Sequence, residues 1–209
     1  MNHNHNNQPH QPAITHGWKR ATVLGNLVLG SAELLTGNLS SLAVAADGVH
    51  NVGDAVTYKL QADDVLQAHD DHQLQCRRKA AHWIIATTSA VVAAKAGYDL
   101  TAGVEHSASD FSLVAASASL VYNGALFYGL RRGTKQAHKE LDDPAACARE
   151  KDLTKHFLVL DIPSAALAVG GAWVQRQGYA DAEQVAALSS GLLGVIAFRP
   201  TAANLEHQH

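Results

Sequence analysis

The chain has 209 residues, and its 16 Lys and Arg residues against 19 Asp and Glu give a formal net charge of -3 at neutral pH. This near balance offers no basic surface for nucleic acid, and the length suits one domain of ordinary size. The mean hydropathy of -0.08 is low for a protein that crosses a membrane many times. Part of this low value comes from the Asn-, His- and Gln-rich residues 1-17 and from the charged stretch 132-155.

Six apolar segments of helical length follow one another along the chain. They cover about residues 18-38, 41-63, 79-100, 110-131, 153-175 and 180-200. Each is rich in Gly, Ala or Ser, the small residues that let helix backbones approach closely within a bilayer. The segments predict an all-α protein, with a long charged loop at 132-152. None contains the unbroken apolar run of roughly 18 residues that marks a membrane span by itself, so a soluble helical bundle stays open as an alternative.

Lysine and arginine gather at alternate connections between these segments. The basic connections and ends carry Lys19 and Arg20; Arg77, Arg78 and Lys79; Arg131, Arg132, Lys135, Lys139, Arg149, Lys151 and Lys155; and finally Arg199. Of the connections between them, only the last carries a basic residue, Arg176. Such alternation is the pattern of six membrane spans whose basic ends all face the cytoplasm.

The predicted protein is therefore polytopic, with six transmembrane helices over residues 18-200 and with both the N and C termini cytoplasmic. Residues 1-17 are expected to form a disordered His- and Asn-rich tail, and residues 201-209 a short tail. The expected location is the cell membrane, or the inner membrane of a bacterium, with the lipid bilayer as a partner.

Two acids and a histidine lie in the second segment. Asp47, His50 and Asp54 are separated by three and then four residues, so a helix places all three on one face. Carboxylate oxygens and an imidazole nitrogen that face one point suit a divalent metal such as zinc. The alternative is an ordinary soluble helix whose polar stripe faces water.

A third acid, Asp161, lies in the fifth segment. At 1.5 Å per residue, Asp161 is roughly 12 Å and Asp54 roughly 14 Å from the cytoplasmic ends of their spans. An ionisable group inside a bilayer costs roughly 2.5 to 3.5 kcal/mol on insertion scales, so such groups are candidates for function. We therefore expect Asp161 to join His50 and Asp54. Glu33 in the first segment either serves the site as a supporting or proton-carrying acid or lies near the outer interface.

The residue four positions before Asp161 is Phe157, which cannot bind a metal, while His156 is five positions before it. Two arrangements of the site are open. In the first, three protein ligands and a water bind the metal; in the second, a one-residue π-bulge brings His156 onto the same helix face as Asp161. Pro163 gives a reason for a bulge, because proline cannot donate a hydrogen bond to the preceding turn of the helix.

Several motifs resemble those of one transporter family. The most specific are Gly25-Asn26-Leu27, Glu33, Gly37, Ser41-Leu42-Ala43 and the run from Asp47 to Asp54, with its His50-x-x-x-Asp54 half-site; weaker ones are Arg77-Arg78-Lys79, Tyr122-Asn123, Asp161-Ile162-Pro163-Ser164 and Tyr179-Ala180-Asp181. From about Asn26 to Arg199 the chain resembles the cation diffusion facilitator family of six-span divalent-cation/proton antiporters.

The resemblance implies export of a divalent cation, zinc before others, in exchange for protons. It implies that His50, Asp54 and Asp161 bind the ion when deprotonated, with Asp47 and His156 as further candidate ligands. Neither an organic cofactor nor enzymatic activity is expected. Cobalt, nickel, manganese and iron(II) stay open as substrates, because sites built from His and Asp accept all of them.

The chain departs from the family pattern in two ways. Phe157 stands where the family has a ligand of its second half-site, and only ten residues follow Arg199, where the family commonly has a cytoplasmic metal-binding domain. We therefore expect a short form without that domain, and a homodimer is left open. The alternative function is a membrane scaffold that does not transport, or a metal-binding relative with a degenerate site.

Overall fold

The computed structural model of the protein describes residues 13–66, 71–104, 109–140, 155 and 157–198. In these ranges every regular element is helical, so the all-α prediction is confirmed. The elements are α1 (Ala13–Ser40), α2 (Leu42–Leu66), α3 (Asp71–Ala102), α4 (Asp110–Glu140), a π-helical turn (Phe157–Asp161), α5 (Ile162–Arg176) and α6 (Ala182–Phe198).

Three helices extend beyond the apolar segments that the sequence marks. Helix α1 begins at Ala13, inside the stretch expected as a tail, and α3 begins at Asp71 rather than at about 79. Helix α4 continues to Glu140, so the first nine residues of the expected loop 132-152 are helical. The extensions of α3 and α4 contain several Lys, Arg, Gln and Glu residues, whose unbranched side chains lose little freedom in a helix. Apolar segments therefore indicate where a helix exists but not where it ends.

Helix α2 is the central element, because it contacts each of the other five helices and the π-helical turn. Ser41 alone separates it from α1, and the Ser41 Oγ accepts a hydrogen bond from the Val44 backbone N–H at 3.2 Å. This N-cap ends one helix and starts the next within a single residue. The antiparallel hairpin of α1 and α2 follows.

Two glycines allow α1 and α2 to touch at the backbone. A Cβ atom added at Gly48 would lie 2.9 Å from the carbonyl oxygen of Gly30, and one added at Gly30 would lie 2.9 Å from the carbonyl oxygen of Gly48. No larger residue fits at either position without pushing the helices apart. The contact fixes which residues of α1 face the polar stripe of α2.

The distribution of polarity is the reverse of that in a soluble protein. Large apolar side chains face outward on every helix, among them Leu24, Val56, Ile84, Val121, Trp173 and Ile196. The fully buried side chains include amides and acids, among them Asn26, Glu33, Asp47, Asn51, Asp54, Asn123 and Asp161. The buried apolar residues are mostly alanines. Helices with this pattern expose apolar surface and enclose a polar interior.

Two stretches of the described helices, Asp110–Arg132 and Leu158–Arg176, are long and apolar enough to cross a bilayer. Only 28% and 39% of their most apolar windows are buried, whereas the core helix of a soluble protein is mostly buried. Helix α6 is apolar but shorter. Two such helices are compatible with a membrane protein, and the six-span arrangement goes beyond this finding.

Candidate metal centre

The three polar residues of the α2 stripe all lie in the protein interior. Asp47, His50 and Asp54 are 0%, 1% and 0% exposed. The alternative in which this stripe faces water is therefore wrong for the described structure. Because α2 is surrounded by other helices, each residue of the stripe meets a different neighbour.

Asp54 meets the acid of the fifth segment. Asp161, the last residue of the π-helical turn, is 1% exposed, and its carboxyl group is within hydrogen-bonding reach of that of Asp54. Tyr58, one turn beyond Asp54 on α2, is close to both carboxyl groups. The structure thus brings Asp54 and Asp161 together, as the depth comparison predicts.

His50 is held by a chain of hydroxyl groups. Its Nδ1 lies 2.8 Å from the Ser164 Oγ on α5, and this oxygen lies 2.6 Å from the Ser190 Oγ on α6. The Nε2 atom faces α6 at Gly194, where an added Cβ would overlap both Nε2 and the Ser89 Oγ. A histidine that binds a metal commonly donates its other ring N–H to a neighbouring oxygen, which orients the ring. Ser164 is placed to orient His50 in this way.

Asp47 belongs to a second polar cluster, between α1, α2 and α4. The Ser119 hydroxyl donates to the Asp47 Oδ2 at 2.7 Å, and the Asn51 amide donates to the Glu33 Oε2 at 2.6 Å. The Asp47 and Glu33 carboxyl groups are themselves within hydrogen-bonding reach. Glu33 is fully buried within this cluster. This arrangement favours a supporting or proton-carrying role for Glu33.

Ser164 lies between the two clusters, because it is bonded to His50 and is close to Asp47. Buried polar side chains thus extend from Glu33 to His50. Sequence reasoning did not identify Ser119, Ser164 and Ser190 as parts of this polar interior. Serine is abundant throughout these small-residue helices, so no spacing distinguished the serines that bond to the acids and the histidine.

The π-helical turn lies in the part of the fifth segment for which the sequence left two arrangements open, one of them a π-bulge before Asp161. It ends at Asp161, two residues before Pro163, whose missing N–H leaves the preceding turn without one of its regular hydrogen bonds. The backbone part of that alternative is therefore present. His156 lies outside the described residues, so its role as a ligand stays a prediction.

Within the described ranges, no three His, Cys, Asp or Glu side chains are grouped closely enough to hold a metal ion. Asp54 and Asp161 meet as a pair, whereas His50 is bonded to Ser164 and Asp47 to Ser119. The described structure therefore does not bring His50, Asp54 and Asp161 together as one group of ligands. The set remains a prediction.

Substitutions at positions 156 and 157 distinguish the two ligand sets. If His156 is a ligand, His156→Ala should weaken zinc binding as severely as His50→Ala, by about 10- to 100-fold or more. If a water completes the site, His156→Ala should be nearly silent and Phe157→His should tighten binding by adding the missing donor. Calorimetric zinc titration of the three variants in detergent measures these affinities. Unchanged binding in all three, His50→Ala included, would contradict a metal site at this position.

No protein-family model matches the chain, and no curated protein matches it either. The residues of the site and their geometry are therefore the basis for assigning a function.

Proposed function

We propose that the protein is a membrane carrier that exports a divalent cation, zinc before others, in exchange for protons, in the manner of the cation diffusion facilitators it resembles. The observation that carries this proposal is the meeting of two fully buried carboxyl groups, Asp54 and Asp161, inside a bundle whose surface is apolar. His50, one turn from Asp54 on the same helix, supplies the nitrogen donor.

Two carboxylates side by side in a buried site without bulk water are strongly unfavourable unless a positive charge compensates them. Among the buried side chains of the described residues there is no Lys or Arg. The compensating charge must therefore come from outside the chain, as a proton or as a metal cation. A site that can be neutralised by either ion, but that must lose its protons to bind the metal, is a site of exchange.

Contacts between helix ends support the six-span arrangement. Arg176 at the end of α5 pairs with Asp110 at the start of α4 at 2.6 Å, and Gln184 at the start of α6 donates to the carbonyl oxygen of Val104 after α3. The alternation of basic residues assigns all these ends to the outer side. The apolar surface of the bundle supports a lipid environment, because lipid tails solvate such side chains.

In this proposal the cation enters from the cytoplasm and binds the deprotonated ligands. Once the site faces outward, protons compete for the same carboxyl and imidazole groups and displace the cation. The protons are then carried inward. Rocking of helices around a fixed site near the middle of the membrane accomplishes both halves of the cycle.

A second candidate is a membrane protein that binds the metal but does not transport it. Phe157 at the position of an expected ligand favours it, as does the grouping of only two acids in the described part of the site. Uptake into proteoliposomes carrying the purified protein, measured for a series of divalent cations across a pH gradient, separates the two candidates. Gradient-dependent zinc uptake supports the carrier, and tight zinc binding without uptake supports the second candidate.

The arrangement of the helices in the membrane can be tested separately from transport. Tyr179, between α5 and α6, and Cys76, near the start of α3, are both exposed and lie at opposite ends of the bundle. With Cys147 replaced by serine, Tyr179→Cys should react with an impermeant thiol reagent on intact cells, whereas Cys76 should react only after permeabilisation. Reaction of Cys76 from outside would contradict the six-span topology.

A further inference from the structure

We propose that Glu183 and Gln184, adjacent residues at the start of α6, form a latch that holds the outer end of the carrier closed. This inference rests on the proposed function, because the outer side is assigned from the proposed topology. The latch joins α6 to the ends of α2 and α3 through two hydrogen bonds between residues far apart in the sequence.

The first bond lies at the beginning of α2. The Ala43 backbone N–H donates to the Glu183 Oε1 at 3.0 Å, and both residues are 0% exposed. The first turn of a helix has free N–H groups and the positive end of the helix dipole, so a carboxylate there is stabilising. A bond between an N–H and a charged oxygen is also stronger than one between neutral groups, and burial protects it from competing water.

Glu183 is not required to start α2. Ser41 already caps this helix, since its side chain accepts from the Val44 N–H and its carbonyl oxygen accepts from the Ala45 N–H. In the first turn of α2, the N–H groups of Val44 and Ala45 thus bond to Ser41, whereas that of Ala43 bonds to Glu183 of the last helix. Glu183 therefore connects two helices, whereas Ser41 serves the fold of one.

The second bond places α6 against the outer end of α3. The Gln184 Nε2 donates to the Val104 carbonyl oxygen at 2.9 Å. Helix α5 joins the same group at Gly171, where an added Cβ would lie 3.2 Å from the Ala182 carbonyl oxygen. The outer ends of α2, α3, α5 and α6 therefore meet at the start of α6.

Opening of the site to the outside requires this meeting point to separate, because α2 carries His50 and Asp54 while α6 lies directly beside His50 at Gly194. Two buried oxygen atoms lack hydrogen bonds in the closed arrangement as the structure describes it. Glu183 Oε2 and Gln184 Oε1 are buried without a hydrogen-bond partner among the described residues. Water that enters on opening satisfies both oxygens, which offsets the loss of the two latch bonds. The latch is thus able to hold and to release.

The test uses the full chain in membranes and needs no transport. In a background without Cys76 and Cys147, Ala43→Cys provides a thiol that is buried beside the latch, and an impermeant maleimide is applied to right-side-out vesicles. Glu183→Ala should raise the labelling rate about tenfold, in line with the loss of one buried hydrogen bond. Glu183→Gln, which keeps an acceptor oxygen but removes the charge, should give a smaller increase and guards against misfolding of the alanine variant.

Asp181→Ala is the matched control, because Asp181 is an exposed acid two residues before Glu183 and makes neither latch bond. It should label like the parent. Equal labelling of the parent and both Glu183 variants would overturn the latch, and an increase seen only in inverted vesicles would overturn its outward position. Neither readout depends on zinc, so a protein that failed to transport would leave these results interpretable.

Discussion

Asp161→Asn should lower zinc affinity at least about 100-fold and abolish transport, since loss of a residue that merely supports a ligand already costs 10- to 100-fold. The substitution keeps the size of the side chain but removes one of the two charges that attract the cation. Asp54→Asn should have the same effect, because the two carboxyl groups form one site. Calorimetric titration and proteoliposome uptake measure the two consequences.

Two control variants accompany these. Asp181→Asn removes an exposed acid and should change neither binding nor uptake. Asp47→Asn should have a milder effect than Asp161→Asn, because Asp47 is bonded to Ser119, whereas Asp161 is paired with Asp54. Normal uptake by Asp161→Asn would show that the fifth segment contributes nothing to the site and that the ligands lie on α2 and its other neighbours.

Gly48→Ala and Gly124→Ala should change stability in opposite directions, although the substitution is the same. At Gly48 the new methyl group would press on the backbone of α1, and overpacking of this kind costs about 1 to 3 kcal/mol. At Gly124 in α4 no atom lies within 4 Å of an added Cβ, so the lower chain entropy of alanine should stabilise the helix by about 0.5 to 1 kcal/mol. Thermal unfolding in detergent, followed by circular dichroism, compares them.

The same comparison tests the pairing of α1 with α2. If Gly48→Ala were as stable as Gly124→Ala, the two helices could not touch at Gly30 and Gly48 as described. The polar cluster of Glu33, Asp47 and Asn51 depends on this contact, so a destabilised Gly48→Ala should also loosen that cluster.

The existence of the helices could be predicted from the sequence because apolar segments of helical length mark the residues that are removed from water. Their ends could not, since the charged residues 132–140 are good helix formers and continue α4 past the apolar segment. The placement of Asp47, His50 and Asp54 on one face follows from helical periodicity alone, whereas the burial of that face does not. Their separation between two clusters does not, because it depends on which helices surround α2.

The depths of Asp54 and Asp161 predicted that they would meet, since depth is set by counting residues from the end of a span. The partners of His50 and Asp47 could not be predicted in this way. Ser164 and Ser119 are ordinary residues in helices full of serine, and only the rotation of each helix decides which hydroxyl faces inward. The rotation of a helix about its axis depends on how the helices pack together, and a single sequence carries little information about it.

The π-helical turn at Phe157–Asp161 accommodates one more residue than an α-helical turn would at the same place. It is equivalent to a single-residue insertion that is accommodated directly before α5. The converse also holds: deletion of Leu158, an exposed residue in this turn, would convert the segment to regular α-helix and leave α5 in place. A helix rarely tolerates such a deletion, so this turn is the point at which the length of the fifth segment can vary while Asp161 keeps its position.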